Sequence, residues 1–203
     1  HKAGLFFGVK LAMDLNNDTY TNEHFKNLVL DNKTIKNIEF EDCNFEHSTF
    51  VETKVLNCKF LDCSFAECIL SATDITNCHF VNTKFVDSKV IGLDWTKTQR
   101  AQELYFDKCK INFSNFRDLK LPKTIIDNCE AAEVDFTMAD LNGSSFQNTN
   151  LEKSIFHKTD INRADFTGAK NYYIDIKQNE ITKATFSLPE AISLLNSLKI
   201  NLK

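Results

Sequence analysis

Apolar residues recur at every fifth position along most of this chain. The series slips by one residue between Trp95 and Phe106, and its one polar member is Asn171. Its other members are Tyr20, Phe25, Leu30, Ile35, Phe40, Phe45, Phe50, Val55, Phe60, Phe65, Leu70, Ile75, Phe80, Phe85 and Val90, then Ile111, Phe116, Leu121, Ile126, Ala131, Phe136, Leu141, Phe146, Leu151, Phe156, Ile161, Phe166, Ile176, Ile181 and Phe186. A period of five matches neither the helical repeat of about 3.6 residues nor the two-residue repeat of a strand. Ordinary helices and flat sheets are therefore poor explanations of the pattern.

Small residues stand two positions before most of these apolar residues, and every cysteine of the chain lies at such a position. The seven are Cys43, Cys58, Cys63, Cys68, Cys78, Cys109 and Cys129. Zinc sites bring Cys and His together at short, unequal spacings, whereas this spacing is uniform and the histidines fall between the two inward positions. The pattern therefore predicts small, buried structural thiols rather than metal ligands or disulfides.

A second period of twenty residues relates equivalent positions, as in Phe40, Phe60 and Phe80. Four five-residue units would then make one coil of square section. A fixed short period is typical of a solenoid, in which each unit buries its apolar face against its neighbours. Coils stacked at the usual strand spacing of about 4.8 Å would form a rod of about eight coils, on the order of 40 Å long. We therefore predict an all-β, four-sided parallel β-helix.

The pattern divides the chain into three parts. Residues 1–17 are a predicted N-terminal extension, and two interpretations of residues 1–12 stay open: native sequence, or a remnant of expression with Met13 as the natural start. Residues 18–186 form the repeat region, with the register slip at 96–105. In residues 187–203, Ser187 as N-cap and Glu190 three residues later predict a short helix.

Composition limits the possible functions. The formal net charge is −4 and basic runs are absent, which is unlike a direct nucleic-acid binder; no apolar run reaches the roughly 18–20 residues of a membrane span. The chain has no Gly-rich phosphate loop and no H-E-x-x-H or G-x-S-x-G motif. Five Gly and two Pro suggest few tight turns. We predict a cytoplasmic, non-enzymatic protein without cofactors.

The repeat resembles the pentapeptide-repeat family, whose motif is A-(D/N)-L-x-x. The best copies here are Ala139-Asp140-Leu141, Thr149-Asn150-Leu151, Thr159-Asp160-Ile161 and Ala164-Asp165-Phe166. The resemblance covers about residues 18–186 and implies a right-handed quadrilateral β-helix. It implies less about function, because one fold can host many functions.

One branch of that family, the quinolone-resistance type, looks like a mimic of B-DNA. The resemblance to this branch implies an acidic surface, dimerisation through the C-terminal end, and binding to the type II topoisomerases gyrase and topoisomerase IV. Two departures are visible, because the net charge of −4 is modest and the break at 96–105 is smaller than that branch's projecting loops. The alternative function is a passive structural scaffold or spacer.

Three groups of residues are candidates for contact with a partner. An acidic row at near-twenty spacing comprises Glu46, Glu67, Asp87, Asp107 and Asp127, which is either a binding face or a solvated one. The register slip is either a one-residue bulge at a corner or a protruding contact turn that carries Lys97, Gln99, Arg100 and Glu103. In the C-terminal helix an apolar stripe forms a lid, a homodimer contact or both: Leu188, Ile192, Leu195 and Leu198. Residues 170–176 are either a local distortion or an exposed aromatic patch.

Overall fold

A parallel β-solenoid of about eight turns makes up most of the protein. The computed structural model describes residues 15–198 and residue 200. The origin of residues 1–12, and most of the predicted N-terminal extension, lie outside this part of the chain. The predicted four-sided β-helix is confirmed.

Residues 15–198 contain fifteen short strands, and every pairing between them is parallel. They are β1 Thr19–Thr21, β2 His24–Lys26, β3 Thr34–Lys36, β4 Glu39–Glu41, β5 Asn44–Glu46, β6 Lys54–Leu56, β7 Lys59–Leu61, β8 Ser64–Ala66, β9 His79–Val81, β10 Lys84–Val86, β11 Arg100–Gln102, β12 Tyr105–Asp107, β13 Ile125–Asp127, β14 Asp165–Phe166 and β15 Thr185–Phe186. Two 3₁₀ segments complete the structure, Trp95–Lys97 and Glu190–Leu198.

The coils present four faces, which we number in chain order. Face 1 contains β1, β4, β7, β9 and β11, and then bridges that link Lys120 to Glu180 through intervening coils. Face 2 contains β2, β5, β8, β10, β12 and β13, with β14 and β15 at its far end. Face 3 is a chain of bridges from Val29 to Lys170, and face 4 contains β3, β6 and the bridges that follow them.

Stacked aromatic rings fill the centre of the rod. On face 2 the rings of Phe25, Phe45, Phe65, Phe85 and Phe106 lie nearly parallel, with centroids 4.6–5.0 Å apart. This separation is close to the backbone spacing of about 4.8 Å, so one flat side chain per coil fills the column. Rings on neighbouring faces meet edge to face, the other favourable arrangement. Fifteen of the eighteen phenylalanines belong to the five-residue series, and this geometry accounts for them.

Small side chains fill the space beside the rings, as predicted. The seven cysteines are reduced and buried, and the Ser and Thr residues of the same position are also buried. Their polar atoms bond to the neighbouring coil. The hydroxyl of Thr53, for example, donates to the carbonyl of Leu30 at 2.7 Å, and the thiol of Cys63 donates to the carbonyl of Phe40 at 3.4 Å.

Tight turns are numerous, so the expectation of few turns was wrong. The residue two places after an apolar member usually has a left-handed backbone, as at Asn57 (φ 53°) and Asp62 (φ 55°). Asn and Asp tolerate this conformation better than most residues, which is why so few glycines suffice. None of the non-glycine residues with positive φ in the described chain is Val, Ile or Thr, since branching at Cβ makes that backbone costly.

The register slip is a single inserted residue at the corner between faces 4 and 1. The chain forms a 3₁₀ turn at Trp95–Lys97, where the Asp94 carboxylate accepts from the Thr96 N–H at 3.3 Å. Phe80 pairs with Ala101, twenty-one residues on, whereas earlier partners are twenty apart. The turn is compact, because Trp95 stays fully buried in the central stack.

The last coil departs from the predicted register. Tyr172 and Ile174 occupy the interior in place of Asn171 and Ile176, because Phe156 bridges to Ile174 rather than to the residue twenty positions on. Residues 170–176 were predicted to be either a local distortion or an exposed aromatic patch, and they show features of both. The change of register buries Tyr172, while Tyr173 is 61% exposed.

The C-terminal segment Glu190–Leu198 is a 3₁₀ helix, and Leu194 packs it against the core. The predicted capping role of the Ser187 side chain is wrong. Its hydroxyl oxygen accepts from the backbone N–H of Gly168 at 2.8 Å, so this side chain ties the helix to the preceding coil.

Candidate functional site

The predicted acidic row lies on face 2, with one carboxylate in each of five successive coils. Glu46, Asp107 and Asp127 end strands β5, β12 and β13, and Glu67 and Asp87 stand one residue after β8 and β10. Glu46, Asp107 and Asp127 directly follow a buried phenylalanine or isoleucine, so the alternation of the short strands directs their carboxylates outward. Glu67 and Asp87 stand two residues after a buried phenylalanine, at corner positions with a left-handed backbone (φ 53° and 48°) beside face 2.

The ammonium of Lys26 neutralises the N-terminal end of the row, where two histidine rings also lie close to the carboxylates. The Glu46 carboxylate lies 2.8 Å from the Lys26 ammonium and 3.2 Å from the His24 ring. The hydrogen bond from Lys26 lowers the pKa of Glu46. His47 lies between the two glutamates, 3.8 Å from Glu46 and 3.3 Å from Glu67. This end of face 2 has paired charges of both signs.

The other end of the row is acidic, and no lysine, arginine or histidine of residues 15–198 and 200 forms an ion pair with it. The Asp127 carboxylate accepts from the Ser145 hydroxyl at 2.6 Å and from the Gln147 N–H at 2.9 Å. Burial raises the pKa of Asp127, and the carboxylates of Asp107 and Asp165 raise it further. Because this pKa is higher in the folded chain, ionised Asp127 lowers stability at neutral pH, and the loss is relieved as the pH falls through the folded-state pKa.

Sequence reasoning missed Asp165, which belongs to the same acidic surface. Its carboxylate accepts from the Gln147 side chain at 2.6 Å, and Gln147 also bonds to Asp127. Asp165 precedes its buried Phe166, whereas the predicted row was traced through positions that follow the buried residue. Since both flanking positions of a short strand point outward, tracing both would have found it. We call Asp87, Asp107, Asp127 and Asp165 the acidic patch.

The four residues of the slip do not converge with the acidic patch. Lys97 ends the 3₁₀ turn, and Gln99 lies 2.9 Å from the His79 ring on face 1. Arg100 begins β11, on the same face. Glu103 stands beyond β11 at the edge shared with face 2. These residues therefore span the width of face 1.

Within one coil the aromatic stack separates the cysteines, whereas Cys58 and Cys78, and likewise Cys109 and Cys129, lie next to each other on neighbouring coils. Cys58, Cys63 and Cys68 lie at three successive corners of one coil, with Phe60 and Phe65 between them. Burial raises the pKa of Cys63 to about 12 and that of Cys68 to about 11. The thiolate is the form that binds metal and reacts as a nucleophile. Cys63 and Cys68 are therefore protonated and unreactive at neutral pH.

The predicted apolar stripe of the C-terminal helix is largely uncovered. Leu188 is 79% exposed and Ile192 is 47% exposed, while Leu198 is also exposed and Leu195 is half-buried. Leu194 makes the contact with the core. A lid is thus formed by one leucine, and the stripe itself is an apolar surface at the end of the rod.

Two family profiles match the sequence. One, described as a pentapeptide repeat region, matches residues 38–116; the other, described as pentapeptide repeats in eight copies, matches residues 132–168. Together they cover more than half of the 203 residues. The chain belongs to the pentapeptide-repeat family.

Solved pentapeptide-repeat structures share the fold at low sequence identity. A trypsin-treated variant of QnrB1, a plasmid-mediated fluoroquinolone resistance protein, superposes with a TM-score of 0.69 at 16% identity over 91% of this chain and 98% of the other. A second such variant gives a TM-score of 0.53 at 16% identity over 91% and 99% of the two chains. A search of curated protein sequences found no significant match.

Residues 15–198 and 200 contain no group of three or more His, Cys, Asp or Glu side chains that is arranged to hold a metal ion. Within the same residues no helix has the length and apolar character needed to cross a membrane.

Proposed function

We propose that this protein is a non-enzymatic interaction module whose acidic patch imitates a DNA backbone and binds a type II topoisomerase, DNA gyrase or topoisomerase IV, thereby protecting it from quinolones. The observation that carries the proposal is the run of carboxylates on one face, Asp87, Asp107, Asp127 and Asp165, without the cation partners that neutralise Glu46. The shared fold with QnrB1, a fluoroquinolone resistance protein, supports the choice of partner.

The raised pKa of Asp127 is a second support. Like charges on adjacent coils cost folding free energy, roughly 0.2–1 kcal/mol for a directly opposed pair. Such a cost is typical of residues that serve binding rather than stability. A basic groove built for DNA would relieve this repulsion on binding.

The spacing of the patch sets an expectation for affinity. From Asp87 to Asp127 one carboxylate per coil gives a charge about every 4.8 Å, against about every 3.4 Å of axis for one DNA strand. The row thus carries roughly 70% of the charge density of a single strand. The coil between Asp127 and Asp165 has Ser145 and Gln147 on face 2 and no carboxylate there. We expect binding to be measurable at low salt and to weaken steeply as salt is added.

The test removes three charges from the patch while keeping its shape, with Asp87→Asn, Asp107→Asn and Asp127→Asn combined. Binding of purified gyrase and topoisomerase IV is measured by titration at low salt, and supercoiling is assayed with and without a fluoroquinolone. We expect about a tenfold loss of affinity, since three exposed charge pairs at roughly 0.5 kcal/mol each give that factor.

The matched control neutralises three exposed acids on faces 3 and 4, with Glu52→Gln, Asp118→Asn and Glu133→Gln. Its net charge changes by the same amount, so long-range attraction is equal in the two variants. The control should bind within about twofold of the unaltered protein. Equal loss in both variants, or neither inhibition nor protection by the unaltered protein at micromolar concentration, would reject the proposal.

The paired charges at the N-terminal end of face 2 favour a second candidate, a passive scaffold. At that end the carboxylates of Glu46 and Glu67 lie beside basic side chains, those of Lys26, His24 and His47. Interleaved charges keep a surface soluble without defining a partner. Absence of topoisomerase binding together with an unaltered rod would favour this function.

We also propose that the protein is a homodimer through its C-terminal end. The uncovered Leu188, Ile192 and Leu198 form an apolar surface that a second copy would bury. A chain that ends at Phe186 should have the mass of a monomer in light scattering, whereas the full chain should have that of a dimer. A double variant, Leu188→Ser with Ile192→Ser, keeps Leu194 on the core and should also be monomeric. An unchanged mass in either case contradicts the dimer.

A further inference from the structure

The β-ladder of face 1 is open at one level. Along the rest of this face each coil bonds to the next, but no backbone hydrogen bond or bridge joins residues 99–103 to residues 119–123, all of which lie in the described chain. The strand β11 (Arg100–Gln102) pairs with β9 on one side only. Lys120 likewise pairs with Asp140 on one side only.

Two sequence features lie beside the opening. The inserted residue of the Trp95–Lys97 turn displaces the chain that enters β11. In the next coil Pro122 has no N–H to donate. At the equivalent step on face 2, the N–H of Gln147 donates to the side-chain carboxylate of Asp127 in the coil before it. Pro122 cannot make a contact of this kind with the Gln102 side chain, although this N–H position takes no part in the backbone ladder.

The opening leaves polar groups without their usual partners. In an ordinary coil a buried threonine hydroxyl donates to the carbonyl twenty-three residues earlier, as Thr149 does to Ile126 at 2.6 Å. The equivalent pair here is Thr124 and Ala101. Thr124 is fully buried, and its hydroxyl has no partner in the structure. Buried polar groups are normally paired, so the unpaired hydroxyl marks the level where the coils separate.

A groove lies over the open ladder. Its volume is about 800 Å³, and its walls include Gln102, Tyr105, Pro122 and Ile125, with Leu104 and Leu121 at its base. Three lysines line it, Lys84, Lys120 and Lys123, against the two acids Glu103 and Asp140. The groove therefore combines apolar walls, a small excess of positive charge and two unpaired strand edges.

We propose that this groove binds an extended, acidic peptide segment of a partner protein by β-strand addition. An unpaired strand edge recognises main-chain N–H and C=O groups of an extended chain. Side chains of one face of the peptide would contact Tyr105, Pro122 and Ile125, and carboxylates would reach Lys120 and Lys123. This site spans face 1 and its edge with face 2, where Tyr105 and Ile125 begin β12 and β13. Its lining includes no residue of the acidic patch, so either proposal can fail alone.

The probe is a short synthetic peptide that alternates valine and glutamate, with blocked ends, added to the full chain. Backbone amide NMR shifts should change at residues 100–105 and 119–125, and titration should give a saturable curve. A peptide with lysine in place of glutamate should bind about tenfold more weakly, since each charge pair contributes roughly 0.5 kcal/mol or more. A peptide with N-methyl groups on alternate amides should lose binding, because it cannot complete the ladder.

The protein variants separate charge at the groove from charge elsewhere. Lys120→Glu with Lys123→Glu should weaken binding of the glutamate peptide about tenfold. The control, Lys153→Glu with Lys158→Glu, changes two exposed lysines that lie on faces 3 and 4, away from the groove, and should leave the affinity within about twofold.

Three outcomes would overturn the proposal. The first is unchanged binding of the N-methylated peptide, which would mean that no strand is added. The second is equal shifts with glutarate, a dicarboxylate without peptide groups, which would make the groove an anion pocket. The third is the absence of any shift at residues 100–105 and 119–125, or shifts that track protein concentration alone and so indicate a second copy of this chain.

Discussion

Replacing Phe65 by alanine should lower the free energy of unfolding by about 4 kcal/mol, the largest effect of a single substitution that we expect. Phe65 is the middle ring of its column, with centroids 4.6 Å from Phe45 and 5.0 Å from Phe85. Phe50 and Phe60 contact it edge to face. The bonded coils on either side keep their spacing, so the cavity cannot close and the full cost of the lost contacts remains.

Equilibrium unfolding in urea, followed by circular dichroism, measures this loss. Phe113→Ala is the matched control, because Phe113 is 58% exposed and outside the stack. It should change the stability by no more than about 0.5 kcal/mol. If both variants lose the same amount, the stacked column is not the main source of stability.

Replacing Thr149 by valine should cost about 2–3 kcal/mol, although the two side chains have the same shape. The Thr149 hydroxyl accepts from the N–H of Cys129 at 3.1 Å and donates to the carbonyl of Ile126 at 2.6 Å. Valine leaves the N–H of Cys129 and the carbonyl of Ile126 buried without a partner, and each such group costs roughly 1–3 kcal/mol. The loss is partly offset, because the variant no longer buries the threonine hydroxyl.

The same substitution at Thr124 should leave stability unchanged or raise it by up to about 1 kcal/mol, because its buried hydroxyl has no partner to lose. Both variants are compared in one urea series at neutral pH. A loss at Thr124 equal to that at Thr149 would mean that the ladder of face 1 is closed in solution, contrary to the structure.

Most of the fold could be predicted because one geometric rule applies to every coil. A residue five positions from a buried ring is itself buried, and a residue twenty positions away lies directly above it, as with Phe40 and Phe60. The rule also placed all seven cysteines inside. The rule failed in the last coil, where Tyr172 and Ile174 are buried instead of Asn171 and Ile176. Several large apolar side chains stand close together there, and their spacing does not indicate which of them is buried.

The candidate site was less predictable, since it depends on pairs of outward side chains. The acidic row could be traced by counting, but its division into a paired end at Glu46 and an acidic end at Asp127 depends on distances between charges that spacing does not give. The open ladder also escaped prediction. It lies where an insertion and Pro122 fall on adjacent coils, and each alone is compatible with a closed face.

The open level on face 1 gives the rod one soft bending direction. Faces 2, 3 and 4 stay joined across the same level, through the Phe106–Ile126, Lys110–Glu130 and Asn115–Asp135 contacts. Flexing that widens the opening breaks no hydrogen bond, whereas flexing toward any other side strains a bonded ladder. We therefore expect the rod to bend most easily near its middle, at the open level of face 1. A partner that binds the rod on both sides of this level could change the angle between the two halves of the rod at low cost in free energy.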